Sequence, residues 1–186
     1  FLRGSGLNGL VSLDKKTQYE KINLIRPLLN FDKKDLIYLS EYVFGWYIKD
    51  PSNKDDKFKR VKIRNLLKQL ELEGLDKNKF LLTIKNLKSS NETIKFYTKK
   101  NLLENITFLE KKRSVILKDS FFKNSAEVIF RSFSEVIKFV GKKYYPSRGK
   151  KIENIIKLIN SKPAFKTTLG GCIIKKISLT VIVSKE

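Results

Sequence analysis

The sequence has no histidine and no methionine, one cysteine, one tryptophan and four prolines among 186 residues. Without histidine and with only Cys172, neither an internal disulfide framework nor a zinc site of Cys/His type can be assembled, and no metal site is expected. Cys172 also has no imidazole to act as its base, which leaves it no catalytic case. A lone thiol fits a reducing compartment, so the expected location is cytoplasmic. No run of about 18 apolar residues occurs, and the N-terminus lacks a basic-then-apolar signal pattern, so membrane insertion and secretion are both disfavoured. The chain opens at Phe1 and lacks methionine throughout, so it reads as a fragment or processed piece.

Acidic side chains are scarce as well: 19 Asp plus Glu face 40 Lys plus Arg, a net charge of +21. That imbalance suits a polyanion such as nucleic acid, although a lysine-rich composition alone gives any solvated surface this character. With 41% hydrophobic residues the chain can bury a core and hold one domain or two small ones.

Periodicity gives an α+β chain, mostly helical. Ile22 to Arg26 reads as a strand ended by Pro27, and its pairing strands are expected to lie outside the chain. Asp32 is positioned to cap a helix that Gly45 stops. Residues 1–48 thus look like the tail of an α/β, Rossmann-like domain. Pro51 and its polar neighbours mark a turn, with Ser52 or Asn53 as the cap of a helix starting near Lys54. Residues 76–112 show near-helical spacing, as one long helix or two, with a thin apolar stripe. A stronger amphipathic helix runs from Ser125 to Val140 and ends at Gly141. Ser147 is the expected cap of another helix, running to about Ser161. The alternating, β-branched end of the chain predicts two or three antiparallel strands, a small terminal β-hairpin. The expected domains are 1–75, the end of a catalytic α/β domain, and 76–186, a helical domain.

Three segments, in order, carry a family resemblance. Arg3-Gly4-Ser5-Gly6 with Gly9-Leu10 resembles the RGSGxxGL stretch of tRNA(Ile)-lysidine synthetases. Ile25-Arg26-Pro27-Leu28-Leu29 is similar to their IRPLL strand. Asp50-Pro51-Ser52-Asn53, followed by Asp56, Phe58, Arg60, Ile63 and Arg64, resembles their DxSNxDxxFxRNxIR signature, with Val61 where the family has Asn. Thr168-Leu169-Gly170-Gly171-Cys172 resembles a TLGGC near the C-terminus of shorter members.

The resemblance implies an N-type ATP pyrophosphatase fold and an ATP-dependent ligation. ATP, with magnesium, would activate carbon 2 of the cytosine at the first anticodon position of isoleucine tRNA, and free lysine would displace AMP. The family's SGGxDS and HxxDD segments do not occur in this sequence, so the chain alone is expected to be inactive. Its partners would be isoleucine tRNA, free lysine, and either a second copy or the missing N-terminal half. A basic, non-catalytic RNA-binding module or split-gene partner is the alternative.

Candidate residues follow. No catalytic residue is assigned. Arg3, Gly4, Ser5 and Gly6 are candidates for the ATP or lysine site, or the glycines only permit tight packing. Asp50, Ser52, Asn53, Asp56, Arg60, Lys62 and Arg64 are candidates for tRNA or active-site contact. Against this stand a helix cap at Ser52, the reading preferred there, and an ion pair from Arg60 to Asp56 on a solvated face. Tyr144 and Tyr145, with Arg148, Lys150 and Lys151, suit stacking on anticodon-loop bases. A Tyr-Tyr-Pro packing corner is the plainer reading there, and Trp46 is expected in the core.

Overall fold

The computed structural model describes residues 6–11, 14–19, 22–53, 55–109, 114–143 and 147–186. Among these the chain is α+β, with helices predominating. It divides into two compact units, Phe1–Asn91 and Glu92–Glu186, the division falling inside one long helix.

The first unit begins with a short helix α1 (Gly6–Val11) and a hairpin of β1 (Lys16–Tyr19) and β2 (Ile22–Ile25). The pairing of β2 corrects the expectation that its partner lies outside the chain: Thr17 faces Leu24 in an antiparallel register. Arg26 ties the hairpin base, its guanidinium donating to Thr17 Oγ1 (2.9 Å) and to the Asp14 carbonyl (3.2 Å). Asp14 in turn pairs with Lys88 Nζ at 2.9 Å. Helix α2 (Lys33–Phe44) starts after Asp32 and stops at Gly45, whose φ of 72° is the left-handed conformation glycine adopts without penalty.

The next helix does not begin near Lys54. Pro51–Asn53 form a 3-10 turn, and α3 (Lys59–Leu72) starts with Phe58 at the N-cap position. Neither Ser52 nor Asn53 caps it. Trp46 is not core either, being 64% exposed. Among the described residues, Val11 and Val61 are the buried apolar side chains of this unit, while Tyr38, Tyr42 and Phe44 of α2 and Leu66, Leu67 and Leu70 of α3 stay exposed.

Helix α4 (Lys77–Asn105) is shorter than expected, because the residues after it turn into strand β3 (Ile106–Leu109), paired with β4 (Ser114–Leu117). The terminal strands β5 (Ala164–Leu169), β6 (Cys172–Ile177) and β7 (Thr180–Lys185) join them. The result is one five-stranded antiparallel sheet, ordered β3-β4-β7-β6-β5, and not an isolated hairpin. Helices α5 (Ala126–Gly141) and α6 (Gly149–Ser161) supply Phe133, Val136, Ile137, Ile152, Ile155 and Ile159 to the core, against Leu117, Val181, Val183, Cys172 and Ile174 of the sheet. Alternation puts those sheet residues on one face, and each such fully buried side chain contributes roughly 1.5–3 kcal/mol. Arg148, not Ser147, occupies the N-cap position of α6.

A buried polar network holds the C-terminal turns of α4 within the second unit. Asn101, 2% exposed, donates to the Phe121 carbonyl and to Ser132 Oγ, both at 3.2 Å, and accepts from Asn105 (2.9 Å) and Asn124 (3.1 Å). With its amide satisfied on both sides, Asn101 is buried without an orphan atom.

The TLGGC turn has a packing reason. Gly170 (φ 64°) and Gly171 (φ 78°) form a two-residue turn between Leu169 and Cys172, and both sit where side chains are disfavoured. The turn lies on the end of α5 so closely that a Cβ on Gly141 would stand 2.1 Å from the Gly170 carbonyl oxygen. Cys172 is fully buried beneath it, its Sγ donating to the Ile137 carbonyl at 3.4 Å, and burial pushes the thiol up to about 11.

Candidate anion site at the start of helix α3

The Asp50–Arg64 segment builds a cluster around one guanidinium. Asp50 closes the 3-10 turn: its carbonyl accepts from the Asn53 backbone N–H (3.1 Å) and its Oδ1 from the Ser52 backbone N–H (2.9 Å). The Ser52 hydroxyl also bonds to Asp50. These two bonds, and then the charge of Arg60, hold the Asp50 carboxyl below the usual carboxylate range. Ser52 Oγ accepts from Arg60 Nη2 at 2.8 Å. The Arg60 guanidinium further sits over the Phe58 ring, 5.1 Å from its centroid, at cation–π distance.

Asp50, Ser52, Phe58 and Arg60 are thus brought together. Asp56 accepts from Asn65 Nδ2 at 3.4 Å. The sequence alternative of an Arg60–Asp56 pair gives way to the Ser52 contact. Arg60 and Arg64, four residues apart on α3, share a helix face, whereas Lys62 projects from another. All three are exposed. Val61 is 4% exposed, so an aliphatic side chain is buried where the resembled signature carries a polar one.

The charges run against the helix. Lys59, Arg60 and Lys62 crowd the N-terminal turn of α3, which has no acidic residue. The helix N-terminus carries a partial positive charge and unpaired N–H groups, so cations there are disfavoured and an anion is favoured. A forked guanidinium held by Ser52 and Phe58 beside such an end is suited to a phosphate or carboxylate.

Arg3, Gly4, Ser5, Tyr144 and Tyr145 lie outside the described residues. Gly6 opens α1 with φ 63°. Arg148, Lys150 and Lys151 are exposed at the start of α6, again with no acid in the first turn. The sequence reading missed Phe58 as a partner of Arg60, although its place two residues before the arginine was visible. Among the described residues no group of three or more His, Cys, Asp or Glu side chains forms a metal-ion site.

Comparison with known proteins gives a similarity at two levels. Residues 1–71 match the family model described as a PP-loop domain. The whole chain is in turn similar to tRNA(Ile)-lysidine synthases, as the motifs indicated. It is 28% identical over 186 residues to that of Wolbachia pipientis wMel, covering 99% of this chain and 43% of the relative. The synthase of the Wolbachia of Brugia malayi is 26% identical over 185 residues, with the same coverage. That of Rickettsia felis is 30% identical over 198 residues, covering 99% of this chain and 42% of the relative. The chain therefore spans less than half the length of these relatives.

Proposed function

We propose that this chain is part of an ATP-dependent ligase that modifies tRNA, joining lysine to the wobble cytidine of the isoleucine tRNA with a CAU anticodon. The observation that carries this reading is similarity to proteins of one named activity along 99% of the chain. In that reaction carbon 2 of the cytosine is activated as an adenylate, with release of pyrophosphate. The lysine amine then attacks carbon 2, and AMP leaves.

ATP supplies the activating group, but its SGGxDS loop is not in this sequence. The chain's own contribution is the Arg60 cluster and the segment Arg3 to Gly6. Arg60, oriented by Ser52 and Asp50 and stacked on Phe58, holds an anion: a phosphate of the tRNA backbone or of the nucleotide. Arg64 on the same face extends that contact, and Lys62, Asn53 and Asp56 flank it. Magnesium would accompany the ATP phosphates, and no residue of this chain is assigned to it.

Residues 1–75 act as the end of a catalytic α/β domain and 76–186 as a tRNA-binding domain, with Arg148, Lys150 and Lys151 among its phosphate contacts. The exposed apolar faces of α2 and α3 belong against the remainder of that α/β domain, whether in the same polypeptide or in a separate N-terminal half. A homodimer is a further partner of this kind. A cytoplasmic setting fits the buried free thiol, and no helix among the described residues is long and apolar enough to cross a membrane.

Binding of isoleucine tRNA across a salt series tests the reading. Arg60→Ala is expected to weaken binding several-fold and to lower the salt slope by about 1, the signature of one lost phosphate contact. Ser52→Ala should have a smaller effect in the same direction. Unchanged affinity and slope in Arg60→Ala would remove Arg60 from the tRNA-binding surface.

A further inference from the structure

Two adjoining hollows, of about 420 and 520 Å³, open on the second unit and share Phe108, Val115 and Phe139. Phe108 comes from the edge strand β3 and Phe139 from the last turn of α5. Their rings meet edge to face, with centroids 5.6 Å apart and planes at 72°. Both rings nonetheless remain in water, Phe108 54% and Phe139 67% exposed, in a unit that buries Phe121 and Phe133 completely. Among the described residues Lys142 and Lys185 line the larger hollow and no acidic residue does, while Lys99 and Glu135 line the smaller. The unit as a whole has 21 Lys plus Arg against 8 Asp plus Glu, a net of +13.

We propose that this groove binds an unpaired stretch of RNA, with bases stacked on Phe108 and Phe139 and phosphates held by Lys142 and Lys185. The proposal rests on the reading of the chain as a tRNA-binding protein, and it adds where unpaired nucleotides are held. An exposed aromatic face accepts any base, and flanking cations follow the backbone; the two features occur together in proteins that hold single strands. An apolar protein partner would have to bury two ammonium groups that have no carboxylate beside them among the described lining residues, which costs more than it returns. Strand addition to β3 would gain little, because that edge is four residues long.

The test uses the 186-residue chain with a short oligouridine, a blunt RNA duplex and isoleucine tRNA, read by fluorescence anisotropy across a salt series. Oligouridine is expected to bind better than the duplex. Phe108→Ala and Phe139→Ala should each weaken it about tenfold with the salt slope retained, and Phe139→Leu should not restore it. Lys142→Gln combined with Lys185→Gln should lower the slope by about 1.4, as for two phosphates of a single strand. Because both rings are more than half exposed, the variants should keep the parent's circular dichroism. Folded phenylalanine variants that bind oligouridine like the parent would overturn the proposal, and unimpaired tRNA binding beside that result would leave the ligase reading standing. No binding of tRNA by the parent would overturn both. Loss of self-association in the variants, with RNA binding intact, would assign the groove to a second copy and overturn the proposal.

Discussion

Replacing Gly141 by alanine should destabilise the second unit, although general helix propensity predicts the opposite sign. Gly141 ends α5 with an ordinary helical backbone, and in a helix alanine is favoured over glycine by about 1 kcal/mol. Here the added methyl would stand 2.1 Å from the Gly170 carbonyl oxygen and 3.1 Å from Cys172 Sγ. The first distance is more than about 1 Å short of van der Waals separation. The turn cannot simply retreat: Gly170 and Gly171 need their left-handed conformations, and Gly170 is crowded by Ser147 and Ile137. Forcing α5 and the β5–β6 turn apart should cost about 1–3 kcal/mol net of the propensity gain, the usual range for an overpacked core. For a unit of this size that lowers Tm by roughly 4–20 °C. Thermal unfolding followed by near-ultraviolet circular dichroism reads the effect. An unchanged or raised Tm would refute the packing account of the TLGGC turn.

Two further perturbations have signs fixed by the structure. The Cys172 thiol is raised to about 11 by burial, with the Glu186 carboxylate adding to it, so the folded state keeps a proton that the unfolded chain loses near pH 9. Stability from this group is therefore full below about pH 9 and falls as pH rises toward 11; urea midpoints of the parent should drop more steeply over that window than those of Cys172→Ala, and parallel curves would contradict it. At the start of α6, Lys150→Glu with Lys151→Glu should raise stability by about 0.3–1 kcal/mol per site through the helix dipole while weakening RNA binding, and tighter or equal RNA binding would exclude both lysines from the contact surface.

Legibility in the sequence followed the locality of the cause. The stop of α2 at Gly45 and the end of α5 near Gly141 were readable because the conformation or the amphipathic stripe is written in adjacent residues. The strands at 106–109 and 114–117 were not, because four-residue segments become strands here by pairing with each other and with β7, about 70 residues on. The core expectation for Trp46 failed for a related reason: a large apolar side chain marks a surface to be covered, not what covers it. At the site, the order of Asp50, Ser52, Phe58 and Arg60 was visible as a motif. Its geometry was not, since the 3-10 turn replaces the expected cap and frees Ser52 to bind Arg60. The groove at Phe108 and Phe139 had no local signal, its rings coming from a strand and a helix 31 residues apart.

The most direct test of the central claim is incorporation of labelled lysine into isoleucine tRNA bearing the CAU anticodon, with ATP, by this chain mixed with a polypeptide carrying the SGGxDS phosphate loop. Incorporation that needs both pieces, is absent with another anticodon and falls in Arg60→Ala is the predicted result. No incorporation by the pair, or equal incorporation without this chain, would contradict the assignment.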